Sequence, residues 1–322
     1  MSVTTTQAIQ PIVTECDRAD LRAIAGESVR FDEPLAPYTS WKIGGPADAW
    51  IIVENEHRLA EIMRFVLRRR MPWFVLGSGS NILIGDGGIR GIVMQLAGDF
   101  AEITVETRSK DEGSSDNEIV VQAGASANMA LLTTKAASAG AVGIGSLAGI
   151  PGSVGGSLRM NAGTDREMGD FVREVWVQSP SKPEPHSVSL QYFYRHTTLA
   201  QDAIVSRVTL VFECGEPQAV REEMLVRLVR RKQTQPIALP NAGSCFRNPA
   251  SDKAARLIEA AGAKGWHEGD AEVSPLHANF INNLGGATAK DVASLLARVR
   301  RAVQEQFGVE LQLEVHLVGV FI

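Results

Sequence analysis

Three segments of the chain combine residue types and spacings that could support chemistry, and two of them are rich in glycine. The first, GSGSN at residues 77–81, directly follows the apolar run WFVL. Its small residues let the main chain approach a ligand closely, and its consecutive N–H groups can form a nest for an anion. A plain tight turn is an equally good interpretation of this segment alone. The third glycine of the GxGxxG fingerprint is absent, so a Rossmann dinucleotide site is not indicated.

The second segment, residues 145–163, reads GSLAGIPGSVGGSLRMNAG. Glycine loses much conformational entropy when it is ordered, so this density favours main chain packed against a large flat or phosphorylated ligand. The alternative is a flexible linker, but the interleaved Leu147, Ile150, Val154 and Met160 indicate burial.

A run of 23 uncharged residues, 136–158, overlaps this segment and is long enough to span a bilayer. However, seven of the 23 residues are glycine and Pro151 interrupts the run. Such a main chain would leave amide groups unsatisfied in lipid. The sequence therefore predicts a buried glycine-rich loop, not a membrane helix.

The third segment is GSCFRNP at residues 243–249. Ser244 lies in a turn, where serine is most often only a turn residue. No Gly-x-Ser-x-Gly elbow surrounds it, so a hydrolase nucleophile is not indicated. Cys245 is predicted to be a small buried hydrophobe, not a nucleophile.

Three further candidates stay open on residue type alone. Arg195, flanked by Phe193 and Tyr194, could be a surface arginine stacked on an aromatic ring. Glu314 and His316 lie on the polar face of a predicted C-terminal strand, ELQLEVHLVGVFI, where an acid is most often solvated.

Composition excludes several classes of protein. The chain has 322 residues of ordinary globular composition and a net charge of −5, so no basic excess indicates nucleic-acid binding, although a small anionic ligand remains possible. Its three cysteines are widely spaced without a CxxC pair, which excludes a disulfide framework and indicates no metal site. The first residues lack the features of a signal peptide, so a reducing cytoplasm is expected.

The elements that must position the three segments begin with a strand–helix–strand unit. Buried strands are predicted at AWIIV, WFVL and IRGIVMQL, with Asn55 capping the helix between the first two. This order predicts an α/β or α+β first domain. A hairpin is predicted from AEITVE to EIVVQAG, with its polar tip at residues 107–118. The first 30 residues show weak periodicity and predict a loosely attached arm.

The character of the sequence changes after Gly215. A basic helix carrying Val220 and Leu228 on one face predicts a domain boundary near residue 220. Further on, Thr288 and Asp291 resemble a capping box that opens a helix.

Taken together, the segments resemble those of the UDP-N-acetylenolpyruvoylglucosamine reductase family, the flavoenzymes called MurB, over residues 38–319. The motifs that carry the resemblance are YTSWKIGGPADAW, VLGSGSNILIGDGGIRGIVM, GIPGSVGGSLRMNAG, YRHT, GSCFRNP, EVSPLHANFINN and LEVHLVG.

The resemblance implies an α+β fold: an FAD-binding domain of the vanillyl-alcohol oxidase (PCMH) type in two subdomains, and a smaller α+β substrate domain. The implied ranges are an N-terminal arm and the start of the flavin domain at 1–37, the FAD-binding domain at 38–219 and the substrate domain at 220–322. The run from LVFECG directly into the basic helix indicates the shorter family type, which lacks an extra substrate loop.

The resemblance also implies the site. Arg195, Ser244 and Glu314 match the catalytic trio, and Lys232, Asn248 and His277 match the substrate segments; His316 stands where arginine is common. The implied ligands are non-covalent FAD, NADPH as hydride donor, and UDP-N-acetylglucosamine enolpyruvate, which is reduced to UDP-N-acetylmuramate for peptidoglycan. The residues expected to hold FAD are Gly77, Ser78, Gly79, Ser80, Asn81, Gly149, Gly152, Ser153, Gly155, Gly156, Asn161 and Gly163.

Two alternatives are kept. One is a different flavin oxidase of the same fold, but those often attach flavin through a histidine in the pyrophosphate loop, which GSGSN lacks. The other is a non-catalytic nucleotide-binding module, against which the joint presence of Arg195, Ser244 and Glu314 argues. A cytoplasmic monomer without membrane insertion is expected.

Overall fold

The computed structural model describes residues 11–109 and 117–322, which form two main β-sheets with packed helices and a smaller C-terminal unit. The strands are β1 (Val29–Pro34), β2 (Pro46–Val53), β3 (Trp73–Val75), β4 (Ile82–Ile84), β5 (Ile89–Leu96), β6 (Ile103–Ser109), β7 (Asn117–Gly124), β8 (Val172–Gln178), β9 (His186–Val188), β10 (Tyr192–Phe193), β11 (His196–Thr197), β12 (Ile204–Glu213), β13 (His267–Glu268), β14 (Ala271–Val273), β15 (Ile281–Asn283) and β16 (His316–Val318). The α-helices are α1 (Glu15–Ala25), α2 (Glu56–Arg69), α3 (Met129–Ser138), α4 (Val154–Arg159), α5 (Pro217–Thr234), α6 (Ala254–Ala260) and α7 (Ala289–Phe307). Short 3₁₀ helices lie at Gly26–Ser28, Ala36–Tyr38, Gly98–Ala101, Ile144–Leu147 and Met168–Asp170.

The first sheet has the order β1-β2-β5-β3, with β2 and β3 both parallel to β5. Helix α2 connects β2 to β3 and is long enough for the crossover that strands running in the same direction require. Asn55 caps this helix by accepting from the N–H of Arg58 at 2.9 Å. Its apolar face, including Leu59 and Ile62, is fully buried. The predicted strand–helix–strand unit and its cap are confirmed.

The expectation of a loosely attached arm is wrong for residues 11–25. Helix α1 starts with a capping box between Thr14 and Asp17 and buries Leu21 completely against the first sheet and α2. The N–H of Ile12 donates to Asp48 Oδ2 at 3.0 Å. The helix has eleven residues and buries three of them, Asp17, Leu21 and Ala25, which is why its sequence shows only weak periodicity.

The second sheet is antiparallel throughout, in the order β6-β7-β12-β8-β9, with α3 and α4 packed against it. Strands β6 and β7 form the predicted hairpin, while residues 110–116 of its predicted tip lie outside the described residues.

The uncharged run 136–158 is folded into this second unit. It contains the end of α3, the 3₁₀ helix Ile144–Leu147 and the start of α4, and Leu147 and Val154 are fully buried. Over residues 11–109 and 117–322, no helix has the length and apolar character needed to cross a membrane. The prediction that this run is buried is confirmed at Leu147 and Val154, but parts of it are helical where a loop was expected.

The C-terminal unit combines a small antiparallel sheet, β13-β14-β15, with α6 and α7. The predicted capping box opens α7, because Thr288 Oγ1 accepts from the N–H of Asp291 and the Asp291 carboxylate accepts from the N–H of Thr288. Its core also contains Trp41, whose indole N–H donates to the carbonyl of Ile281 at 2.7 Å.

Two elements tie the C-terminal unit to the rest of the chain. Strand β16 pairs in parallel with β4, and α5 packs on α3 and the 3₁₀ helix at residues 144–147. The predicted boundary near residue 220 therefore falls in the first turn of a helix that packs on the second sheet's unit, and it stays a prediction. The predicted C-terminal strand is shorter than its alternation indicates, because residues 311–315 instead follow the GSCF loop, where the N–H of Glu314 donates to the carbonyl of Cys245 at 2.8 Å.

Candidate active site

A cavity of about 860 Å³ lies where the two glycine-rich segments meet the GSCF loop and strand β16. Most of the residues expected to hold FAD are in its wall. These are Gly77, Ser78, Gly79, Ser80, Asn81, Gly152, Ser153, Gly155, Gly156 and Gly163. Thus segments separated by more than sixty residues of sequence form one side of a single site.

Direct contacts hold the two glycine-rich segments together. Ser80 Oγ donates to the carbonyl of Pro151 at 3.0 Å. A side chain at Gly77 would meet Ser153 Oγ at 2.8 Å, so glycine permits this close approach. In the described part of the chain, no hydrogen bond uses the main-chain N–H groups of Ser78 or Gly79 as donors, which leaves them available to an anion.

Individual glycines serve different purposes. Gly79 has φ +61°, and a Cβ there would lie 2.4 Å from the carbonyl oxygen of Tyr38, so the chain itself requires this glycine. At Gly156 a Cβ would meet only Ser153 Oγ, at 3.4 Å, so this position is open toward the cavity. Close main-chain approach to a ligand is thus supported at Gly156, whereas Gly79 is explained by packing against residues 38 and 39.

Two of the expected FAD residues are absent from the cavity wall. Gly149 packs on α5, where a Cβ would lie 3.0 Å from atoms of Leu228 and Arg231. Asn161 is buried with φ 43°. Its Nδ2 donates to Glu167 Oε2 at 2.6 Å, and its Oδ1 accepts from the N–H of Gly169 at 2.8 Å.

Arg195 lies in the wall, at the turn between β10 and β11. Its Nε donates to Glu314 Oε1 at 2.9 Å, and its two terminal nitrogens donate to Glu167 Oε1 at 3.3 Å and to the carbonyl of Gly163 at 3.2 Å. The guanidinium also lies 4.8 Å from the ring of Tyr194. Arg195 therefore does stack on an aromatic ring, but it is not a free surface arginine, because its guanidinium also forms hydrogen bonds at the cavity wall.

Glu314 is held in the wall from both sides. Asn81 Nδ2 donates to the main-chain carbonyl of Glu314 at 3.1 Å, and the N–H of His316 donates to the carbonyl of Asn81 at 3.0 Å. Burial raises the pKa of the Glu314 carboxyl, and the charge and hydrogen bond of Arg195 oppose that rise. The general expectation of a solvated acid is wrong here, because Glu314 precedes β16 in the cavity wall and its side chain is only 15% exposed.

Ser244 lines the same cavity, on a loop with a rigid frame. Asn279 frames it: its carbonyl accepts from the N–H of Cys245 at 2.8 Å and its Oδ1 accepts from the N–H of Phe246 at 3.0 Å. Cys245 is buried, as predicted, and burial raises the pKa of its thiol to about 12, so it is not a thiolate nucleophile.

The three residues expected to bind substrate lie outside the wall. Lys232 is exposed on α5, next to Arg231, which does line the cavity. Asn248 Oδ1 accepts from the N–H of Ala254 at 3.0 Å, at the start of α6. His277 packs edge-on against Phe280, a wall residue, with ring centroids 4.7 Å apart.

Sequence reasoning missed several groups at the cavity. Arg159 and Arg231 are wall residues whose pKa values burial lowers, and the hydroxyl of Ser126 in the wall is buried without a hydrogen-bond partner among the described residues. Glu167, behind Arg195, was also missed. Burial and the nearby Arg247 lower the pKa of His316, which favours a neutral imidazole.

A metal site is a separate question. Over residues 11–109 and 117–322, no group of three or more His, Cys, Asp or Glu side chains could hold a metal ion.

Two family models match the chain. Residues 47–179 match an FAD binding domain, and residues 235–318 match the C-terminal domain of UDP-N-acetylenolpyruvoylglucosamine reductase. The predicted fold class, an FAD-binding domain of the vanillyl-alcohol oxidase type with a smaller C-terminal domain, is confirmed by these matches.

Relatives match over nearly the whole chain. A UDP-N-acetylenolpyruvoylglucosamine reductase of Moorella thermoacetica is 40% identical over 310 residues, covering 93% of this chain and 99% of that protein. One of Symbiobacterium thermophilum is 41% identical over 297 residues, covering 90% of this chain and 92% of its own. The crystal structure of the reductase from Thermus caldophilus superposes with a TM-score of 0.73 at 34% identity, over 90% of this chain and 98% of that one.

Proposed function

Because the chain belongs to the UDP-N-acetylenolpyruvoylglucosamine reductase family, it is an FAD enzyme of peptidoglycan precursor synthesis, and we propose that Arg195, Ser244 and Glu314 carry out its substrate half-reaction. The observation that supports this most is that three residues from separate segments line one cavity between the two glycine-rich segments. NADPH is the proposed hydride donor, and UDP-N-acetylmuramate the proposed product.

The cavity wall fits a large flavin nucleotide. The free N–H groups at residues 78 and 79 suit a pyrophosphate, Gly156 leaves room beside the main chain, and the hydroxyl of Ser126 lacks a partner within the described residues. When bound and reduced, FAD supplies the hydride that adds to the enolpyruvyl group. The loop at 77–81 has no histidine, so we propose non-covalent binding.

Arg195 is proposed to bind the carboxylate of the enolpyruvyl group. In the described chain, three of its five N–H groups donate to Glu314, Glu167 and Gly163. The N–H groups of the guanidinium on the cavity side can donate to a ligand carboxylate instead. Charge that develops on the substrate during hydride addition is stabilised by a fixed guanidinium in a partly buried site. Glu314 orients that guanidinium until the substrate carboxylate binds.

Ser244 is proposed to donate the proton that completes the reduction at C2 of the enolpyruvyl group. A hydroxyl is a weak acid, so it must be held within hydrogen-bond reach of that carbon. The main chain that follows Ser244 supports this, since Asn279 accepts hydrogen bonds from the N–H groups of residues 245 and 246. The product then carries one added hydride at C3 and one added proton at C2.

The sugar nucleotide is proposed to extend toward Lys232, Asn248 and His277. Lys232 follows the wall residue Arg231 on α5, and His277 supports the wall residue Phe280. We propose that Lys232 and Asn248 contact the diphosphate at the rim of the cavity. We also propose that the enzyme works in the cytoplasm as a monomer.

The proposed function is tested by following NADPH oxidation with and without the enolpyruvyl sugar nucleotide. Without that substrate we expect NADPH oxidation to slow after one equivalent per flavin, and with it we expect rapid oxidation that is stoichiometric with the sugar nucleotide. NADPH oxidation that the sugar nucleotide does not accelerate would contradict the proposal. Release of yellow flavin on denaturation distinguishes non-covalent binding from the covalent oxidases, and absence of flavin would favour the binding-module alternative.

A further inference from the structure

Arg195 is held by two carboxylates, and only one of them belongs to the cavity wall. Glu314 lines the cavity, whereas Glu167 lies behind the guanidinium at the start of the 3₁₀ helix Met168–Asp170. The side chain of Glu167 is 25% exposed. Burial and the neighbouring Asp170 raise its pKa, while the Arg195 charge opposes this.

The main-chain conformation of Arg195 needs neighbouring groups to hold it. Its φ of 56° is in the left-handed region, which a residue other than glycine rarely adopts and which persists only when the surroundings hold it. Of the three groups that hold the guanidinium, Glu314 and Gly163 face the cavity, where a substrate carboxylate would replace or rearrange them. Among the described residues, Glu167 is the partner of the guanidinium that lies outside the cavity wall.

Glu167 is itself anchored to the turn that carries Arg195. Its Oε2 accepts from Asn161 Nδ2 at 2.6 Å, and the same amide nitrogen donates to the carbonyl of Phe193 at 3.1 Å. Asn161 is 2% exposed and has its Oδ1 occupied by the N–H of Gly169. Asn161, Glu167 and Arg195 thus form a closed chain of hydrogen bonds that returns to the β10–β11 turn.

We propose that Glu167 is a positioning residue for Arg195: it holds the guanidinium in place while the cavity-side partners exchange for the substrate carboxylate. This rests on the proposed function, since it concerns the half-reaction in which substrate reoxidises the flavin. Hydride transfer from NADPH to the flavin does not require that carboxylate contact.

The first experiment measures both half-reactions by stopped flow in the flavin-loaded protein. Glu167→Ala should slow reoxidation by the enolpyruvyl sugar nucleotide about tenfold, the range found for coupled neighbours, and leave reduction by NADPH within about twofold. Glu167→Gln keeps an acceptor for Arg195 and should slow reoxidation less. Asp165→Asn is the matched control: it removes a nearby carboxylate that pairs with Arg227, and it should leave both rates unchanged.

A double variant separates positioning from general stability. If Glu167 acts through Arg195, Arg195→Ala with Glu167→Ala should reoxidise no more slowly than Arg195→Ala alone. A further tenfold loss in the double variant, or equal slowing of both half-reactions, would overturn the inference. Wild-type rates in Glu167→Ala would overturn it as well. Failure of the sugar nucleotide to reoxidise the wild-type flavin would instead contradict the proposed function.

Discussion

At the scale of single residues, the hydroxyl of Ser244 offers the sharpest test of the chemistry. If it donates the proton to C2, it acts only after NADPH has reduced the flavin. Ser244→Ala should leave that reduction nearly intact and slow reoxidation by the substrate by at least ~10²-fold, the low end for general acid catalysis. Cysteine at this position should restore part of the rate.

Stopped-flow traces of the two half-reactions check this, with exposed Ser251→Ala as the control. Equal slowing of both steps by alanine would make Ser244 a structural turn residue. If neither step slows, the proton comes from another group, such as Glu314 or water.

The glycines at 79 and 156 give opposite expectations. Gly79→Val should destabilise the protein whether or not FAD is present, because the side chain meets the main chain of Tyr38 at a positive φ. Gly156→Ala should fold normally, since the methyl meets only Ser153 Oγ, yet bind FAD at least about tenfold more weakly if the flavin nucleotide fills this space. Fluorescence titration of the apoprotein with FAD measures the affinity. An unchanged affinity in Gly156→Ala would remove Gly156 from the FAD site.

Burial of Glu314 predicts a pH-dependent stability. Because the folded state raises the pKa of this carboxyl, the folded protein binds the proton more tightly than the unfolded chain. The stability contribution is therefore present at low pH and is lost as pH rises through the folded pKa. We expect the Tm of Glu314→Gln, relative to wild type, to increase as pH rises from 4 to 8. A relative Tm that falls over this range would show that the Arg195 pairing outweighs burial.

Residue types alone could indicate which groups carry chemistry, but not how they are buried. Arg195 and Glu314 were open candidates because a hairpin arginine and a strand glutamate are ordinary surface residues. Their meeting at 2.9 Å depends on segments 119 residues apart, which no local pattern encodes. Glu167 was missed for the same reason, since its partner Arg195 is 28 residues further along the chain.

At the scale of elements, the loop after β4 adds a second capping group to the N-terminus of a distant helix, beside the N-cap Thr288. The Asp86 carboxylate accepts from the N–H groups of Ala289 and Lys290, at 2.9 and 3.0 Å, at the start of α7. Asp86→Ala should lower the free energy of unfolding by about 1 kcal/mol, as loss of a helix cap does. Urea denaturation measures this, with exposed Glu305→Ala on the same helix expected within about 0.5 kcal/mol of wild type. Equal values for the two variants would contradict the role of the cap.

Helices with local end signals were predictable, and long-range pairings were not. Asn55 and Thr288 cap their helices as their sequences indicate, because a cap needs only residues three positions away. The parallel pairing of β4 with β16, and the packing of α5 on α3, join segments far apart in sequence. These contacts decide where Glu314 and Arg231 lie, so the site was only partly predictable.

At the scale of the whole molecule, the cavity couples cofactor binding to folding. The cavity walls come from the units built around the two main sheets and from the C-terminal unit. Bound FAD should therefore stabilise these three units together. At an FAD concentration of 100 times the Kd, the gain is about 2.7 kcal/mol in the free energy of unfolding. Calorimetry of flavin-free and flavin-loaded protein should show a higher Tm with FAD. Separate transitions, of which only one responds to FAD, would contradict coupling across the cavity.

The pairing of β4 with β16 also bears on the order of events during synthesis. Asn81 and Glu314, which bond each other beside these strands, are 233 residues apart. A ribosome adding about 5–20 residues per second needs on the order of 10 to 50 seconds to pass from one to the other. Throughout that interval the GSGSN loop of a nascent chain lacks the strand that completes its side of the cavity. We therefore expect flavin capture to follow translation of the last strand and not to accompany the folding of the first sheet.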